Sequence, residues 1–98
     1  MKKVFICSAL RGDVENNIKK AKEYSRQAVL EGYLPITPHI YFTQFLNDDI
    51  IEERNTGIKM GIDLLKGCDE IWVYGEITIG MAEEIQIAKE RKITITYK

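Results

Sequence analysis

Two runs of consecutive apolar residues constrain this chain more than anything else in it: Val4-Phe5-Ile6-Cys7 near the start, and Ile71-Trp72-Val73-Tyr74 behind Glu70 in the second half. Successive side chains of a strand point to opposite faces, so a strand without polar residues must be covered on both. Helices are the usual cover, and the intervening sequence supplies them. From Asp13, positions Val14, Ile18, Ala21, Ser25, Ala28 and Val29 form a narrow stripe at helical spacing that stops at Gly32. Asp49 with Glu52 three residues later resembles a helix start, and Ile51, Ile58, Ile62 and Leu65 then mark one face up to Gly67. Met81, Ile85 and Ala88 mark a third helix.

Two further strands have the character of edges. Tyr33 to Thr37 is extended but contains Pro35, which cannot donate to a ladder, and Ile93, Ile95 and Tyr97 alternate with polar residues. Strand and helix therefore alternate throughout, and helical crossovers of this length imply parallel strands. Two buried strands between two edges predict a four-stranded parallel sheet of order 2-1-3-4, with three main helices in a small flavodoxin-like three-layer α/β sandwich. A chain of 98 residues, 45% hydrophobic and 30% charged, supports one core, so residues 1–98 are expected to form one domain.

Charge and cysteine usage narrow the partners. Fourteen basic against fifteen acidic residues, with no basic run longer than two, leave no footprint for a nucleic-acid polymer. Cys7 and Cys68 have neither metal-ligand spacing nor the density of a disulfide scaffold, which predicts reduced thiols, a cytoplasmic location, no metal and no cofactor. The opening Met1-Lys2-Lys3-Val4 is too short for a signal peptide and no eighteen apolar residues run together, so no membrane association is expected.

In a sheet of this order ligands bind outside the carboxyl ends of the strands, between strands one and three where the order reverses. Ser8 to Asp13, His39 to Asp49 and Gly75 to Glu84 meet there. Ser8-Ala9-Leu10-Arg11-Gly12-Asp13 offers a hydroxyl, a guanidinium and backbone amides at the start of a helix, which suits a phosphate; the alternative is a solvated Arg11 beside a turn and an N-cap. Thr78 lies near the N-cap of the third helix, Gly80 clears space, and Glu83 and Glu84 follow. A helix N-terminus favours negative charge, so a carboxylate there should stay ionised near neutral pH, as a nucleophile requires; periodicity does not separate Glu83 from Glu84. His39, the only histidine, faces the same place and is either a site residue or structural. Cys7 reads as a buried, inert thiol, and Asp69 lies at the opposite rim in a structural role. Ile40 to Leu46 carries three aromatics in seven residues and predicts an interface between copies that also closes the pocket.

Val4-Phe5-Ile6-Cys7-Ser8-Ala9-Leu10-Arg11-Gly12 together with Thr78-Ile79-Gly80-Met81-Ala82-Glu83-Glu84 resembles the nucleoside 2-deoxyribosyltransferase-like superfamily, which includes the deoxynucleoside 5'-monophosphate N-glycosidases and a branch of short bacterial and phage proteins. Thr37-Pro38-His39, Glu53-Arg54 and Cys68 to Val73 resemble that short branch. The resemblance implies a hydrolase or transferase acting on the N-glycosidic bond of a nucleoside or nucleotide. It places the nucleophile on Glu84, with Phe5, Ser8, Arg11, Gly12, His39, Thr78, Gly80 and Met81 around the substrate. A non-catalytic nucleotide-binding protein of the same fold is the alternative, and a homodimer or larger homo-oligomer is expected. Two positions depart from the pattern. Phe5 stands where many members have a tyrosine, and no aspartate falls where one is expected before strand three, Asp63 being the nearest carboxylate. His39, Asp49 or Glu53 could then supply the missing acid.

Overall fold

The computed structural model describes residues 1–98 in full. In chain order the elements are β1 (Lys3–Cys7), α1 (Val14–Leu30), β2 (Leu34–Ile36), α2 (Pro38–Tyr41), a 3₁₀ turn (Phe42–Gln44), α3 (Ile51–Lys66), β3 (Glu70–Val73), α4 (Ile79–Glu90) and β4 (Thr94–Tyr97). All pairings are parallel in the order β2-β1-β3-β4. Phe5 pairs with Ile36 on one side and Ile71 on the other, and Cys7 with Val73. The parallel sheet in the expected order is thus present, with a fourth, one-turn helix between β2 and α3.

Alternation along β1 and β3 divides the core into two layers. Phe5, Cys7, Ile71 and Val73 point toward α3 and α4, where Leu65, Met81, Ile85 and Ala88 meet them. Val4, Ile6, Trp72 and Tyr74 point toward α1. Ala21 and Ala28 are fully buried under α1, and such small side chains let the helix lie close to the sheet. The stripe read from sequence holds at these central positions and fails at the ends, where Val14 and Val29 are exposed. Tyrosines off that stripe complete the layer: Tyr24 stacks on Tyr74 at 3.8 Å, and Tyr33 meets Trp72 edge-on at 4.9 Å. Their polar tips are satisfied, since the Tyr74 hydroxyl donates to Gln27 Oε1 at 2.8 Å and the Trp72 indole to Glu70 Oε1 at 3.1 Å.

The ends of the elements follow local chemistry. Asp13 caps α1 by accepting from the Asn16 N–H at 3.3 Å, and Gly32, at φ +87°, turns the chain into β2. Asp69 accepts from the Lys3 N–H at 2.8 Å, at the rim opposite the strand carboxyl ends, in the structural role expected for it. The start of α3 differs from expectation. It begins at Ile51 after Ile50, which makes no side-chain cap. Glu53 reaches back to the Asn47 N–H at 3.1 Å and Asn47 Oδ1 accepts from the Asp49 N–H at 2.9 Å, so those groups hold the preceding turn instead of forming an Asp49–Glu52 box.

Candidate functional site

The segment 38–46 packs beside α1 and α3. Pro38 opens α2 at a position where its missing N–H costs nothing, and its ring lies close to Gly61 of α3. Phe42, Thr43 and Leu46 from this stretch, Ser8 and Arg11 after β1, one face of α3 and the first turns of α4 enclose a cavity of about 470 Å³ outside the strand carboxyl ends. That volume lies in the range of small-molecule pockets. Tyr41 and Phe45 remain largely exposed beside Phe42, in edge-on contact with it and with each other.

The β1 wall is defined by hydrogen bonding. Ser8 is 5% exposed, and its Oγ has no partner within the protein. Its carbonyl oxygen lies 2.8 Å from His39 Nε2. A carbonyl can only accept, so Nε2 carries the proton. Burial lowers the His39 pKa, keeping the ring neutral, and Nδ1 is left as an acceptor. Arg11 Nε approaches Asp48 Oδ2 at 3.5 Å across the mouth, in a pair exposed enough to be weak.

The α4 wall is set by Thr78, whose Oγ1 accepts from the Met81 N–H at 3.2 Å, a cap typically worth ~1 kcal/mol. Gly80 presents no side chain, and nothing lies within 4 Å of where a Cβ would stand. Glu84 follows one turn later, half-buried, while Glu83 is exposed at the rim. Burial pushes the Glu84 carboxyl up to about 7, with Glu83 adding to the shift and the Cys7 thiol beside it opposing. This overturns the expectation of a carboxylate held ionised by the helix. Glu84 is the sixth residue of α4, beyond the first turn where the dipole acts, and desolvation outweighs what remains. Burial and the neighbouring Glu84 together raise the Cys7 thiol far above its ordinary value, so it stays protonated and inert.

Ser8, Arg11, His39, Thr78, Gly80, Met81 and Glu84 therefore share one cavity. Phe5 does not join them: it is 1% exposed in the core, two residues before the strand end that reaches the rim. Gly12 also lies outside the lining and serves the turn into α1 at φ +95°. Of the carboxylates named as possible acids, Glu53 is in the wall and Asp49 is outside it, as is Asp63, the carboxylate nearest the expected aspartate position. The face of α3 formed by Arg54, Gly57, Ile58 and Gly61 was not assigned from residue patterns. Its signal is the pair of glycines four residues apart on the side facing Pro38 and Leu46. No three His, Cys, Asp or Glu side chains cluster so as to hold a metal ion, and no helix is long and apolar enough to cross a membrane.

A family model described as a domain of unknown function, DUF7768, matches residues 2–98. No curated protein matches the sequence. Among solved structures, a 2-deoxyribosyltransferase from Bacillus psychrosaccharolyticus superimposes with a TM-score of 0.78 at 13% identity, over 97% of this chain and 70% of that one. A 2-desoxiribosyltransferase from Leishmania mexicana superimposes at 0.70 and 17% identity, over 99% of this chain and 63% of its own length. At these identities the likeness is one of fold, and about a third of each neighbour has no counterpart here.

Proposed function

This chain belongs to the DUF7768 family, and we propose that it takes a nucleoside or nucleotide into the cavity and cleaves or exchanges the N-glycosidic bond, with Glu84 as nucleophile. The observation that carries this reading is Glu84 itself, a half-buried carboxyl in the wall of a cavity at the strand carboxyl ends, beside the open surface of Gly80. The fold shared with two 2-deoxyribosyltransferases supports it.

The chemistry is that of a retaining displacement. A Glu84 oxygen forms a bond to the anomeric carbon, and the carbon–nitrogen bond breaks with its electron pair leaving on the base. Water then attacks the ester to release the free sugar, or a second base attacks it to give a new nucleoside. In this reading the hydroxyls of Ser8 and Thr78, both in the cavity wall, hydrogen-bond sugar oxygens. The departing base needs a proton, and the cavity wall offers no ready donor. The His39 Nε2–H is engaged by the Ser8 carbonyl, and Glu53 is turned back to accept the Asn47 N–H. Solvent must supply that proton. Positioned proton transfer contributes ~10² to 10⁴ in rate, so turnover should be slow. The same shortage of a donor favours a second reading, a nucleotide-binding protein without turnover.

Purified protein incubated with a panel of nucleosides and 5'-monophosphates, with free base followed by chromatography, separates the two. Only ionised Glu84 can attack, and its carboxyl titrates at about 7. Base release is therefore expected to rise with pH, to pass half its maximum near that value and to level off by about pH 8.5. A flat profile would show that the Glu84 carboxyl is not held up near 7, and base release that survives Glu84→Gln would remove Glu84 as nucleophile. Binding without any release would leave the second reading.

A further inference from the structure

Two polar groups in the cavity wall that lack protein partners bear on the ligand. Ser8 Oγ is one. The other is the Arg54 guanidinium, half-buried on the cavity face of α3, with no carboxylate within 4.0 Å and no side-chain hydrogen bond. A guanidinium cannot shed its proton, so partial burial leaves it in need of an anion. Gly57, three residues on, adds no side chain beside it.

The surrounding charges do not meet that need. Formally the wall carries four carboxylates against two guanidinium groups, yet none of the four lies within 4.0 Å of Arg54. Asp48 faces Arg11, Glu53 accepts the Asn47 N–H, and Glu83 is exposed at the rim. Glu84 is driven toward its neutral form by burial. Arg11, the other cation of the wall, is more exposed and has its partner in Asp48.

We infer that Arg54 determines the charge class of the ligand: it pairs with the phosphomonoester of a nucleoside 5'-phosphate, while the unpartnered Ser8 hydroxyl donates to another ligand oxygen. The assignment of the ligand as a nucleotide rests on the proposed function, whereas the anion site does not. It also displaces Arg11 from the phosphate-holding part that the sequence suggested for it.

Calorimetry with a nucleoside and its own 5'-monophosphate tests the ligand, and thermal unfolding with inorganic phosphate alone tests the anion site. A guanidinium–phosphate pair should make the monophosphate bind at least ~10-fold more tightly than the nucleoside. Arg54→Ala is expected to bring that ratio close to one and to abolish stabilisation by phosphate. Arg54→Lys, which keeps the charge without the fork, should retain part of both and guards against a loss caused by misfolding. Arg11→Ala should leave the ratio standing, as should Arg91→Ala at the far end of α4. A ratio near one in the unmodified protein, a ratio indifferent to Arg54→Ala, or one abolished by Arg11→Ala would overturn the inference. If phosphate stabilises through Arg54 while neither nucleoside nor nucleotide binds, the anion site stands and the nucleoside reading falls. If nucleosides are cleaved without regard to phosphate, the reverse holds.

Discussion

Glu84→Gln is expected to abolish base release, by at least ~10³-fold for the loss of a nucleophile, and to make the folded protein more stable above neutral pH. The two effects have one origin. The Glu84 carboxyl titrates at about 7 against an ordinary 4.5, so the folded state binds its proton more tightly than the unfolded chain does. The stability this contributes is fully present below about pH 4.5 and is lost as pH rises through about 7. Above that, the protein bears the whole cost of a partly buried carboxylate. Glutamine keeps the shape and the neutral state, so the variant should match the parent near pH 4.5 and exceed it near pH 8 by up to ~3 kcal/mol. Remaining solvent contact makes that an upper bound. Urea unfolding at the two pH values checks it, and a variant less stable than the parent at the higher pH would show that Glu84 is not held in this way.

Phe5→Ala is expected to cost ~3–5 kcal/mol, a large part of what a chain of this size has available. Phe5 is 1% exposed between Cys7, Leu65, Ile71 and Met81, and truncating it opens a cavity in the middle of the central strand. Phe5→Leu, closer in volume, should cost less than ~1.5 kcal/mol and leave ligand affinity unchanged. Denaturant unfolding and calorimetry on the two variants measure both. Affinity lost in Phe5→Leu with stability retained would return Phe5 to the ligand, where the family resemblance had placed it.

Much of the architecture was legible because it rests on short-range patterns. Apolar runs mark β1 and β3 as buried on both faces, Pro35 marks an edge, and the alternation of strand and helix leaves few parallel topologies. The segment from Pro38 to Gln44 was not legible as helix, since one turn of α-helix and one of 3₁₀ are too short to show a period. Tyr24 and Tyr33 were missed because they lie off the stripe facing the sheet, and only the folded sheet reveals the aromatic rings of β3 that they cover.

Within the cavity, the strand-end loop and the start of α4 were found because topology dictates where ligands meet such a sheet. Glu83 and Glu84, adjacent in sequence, separate only when packing leaves one at the rim and sets the other beside Cys7. The ionisation of Glu84 was misjudged for the same reason, since a helix N-terminus can be read from sequence and burial in the folded chain cannot. Arg54 stands out in the sequence only through the resemblance of Glu53-Arg54 to the short branch, which gives it no role. What singles it out is the absence of a partner, which is a property of the folded chain.

The central claim is that Glu84 forms a bond to the sugar, and the most direct test is to find that bond. The protein is mixed with a deoxynucleoside or its 5'-monophosphate, quenched in acid during turnover, digested and mass-analysed. A pentose or pentose-phosphate adduct is expected on the α4 peptide that contains Glu84, and none in Glu84→Gln. Base release that proceeds without the adduct and persists in Glu84→Gln would contradict it.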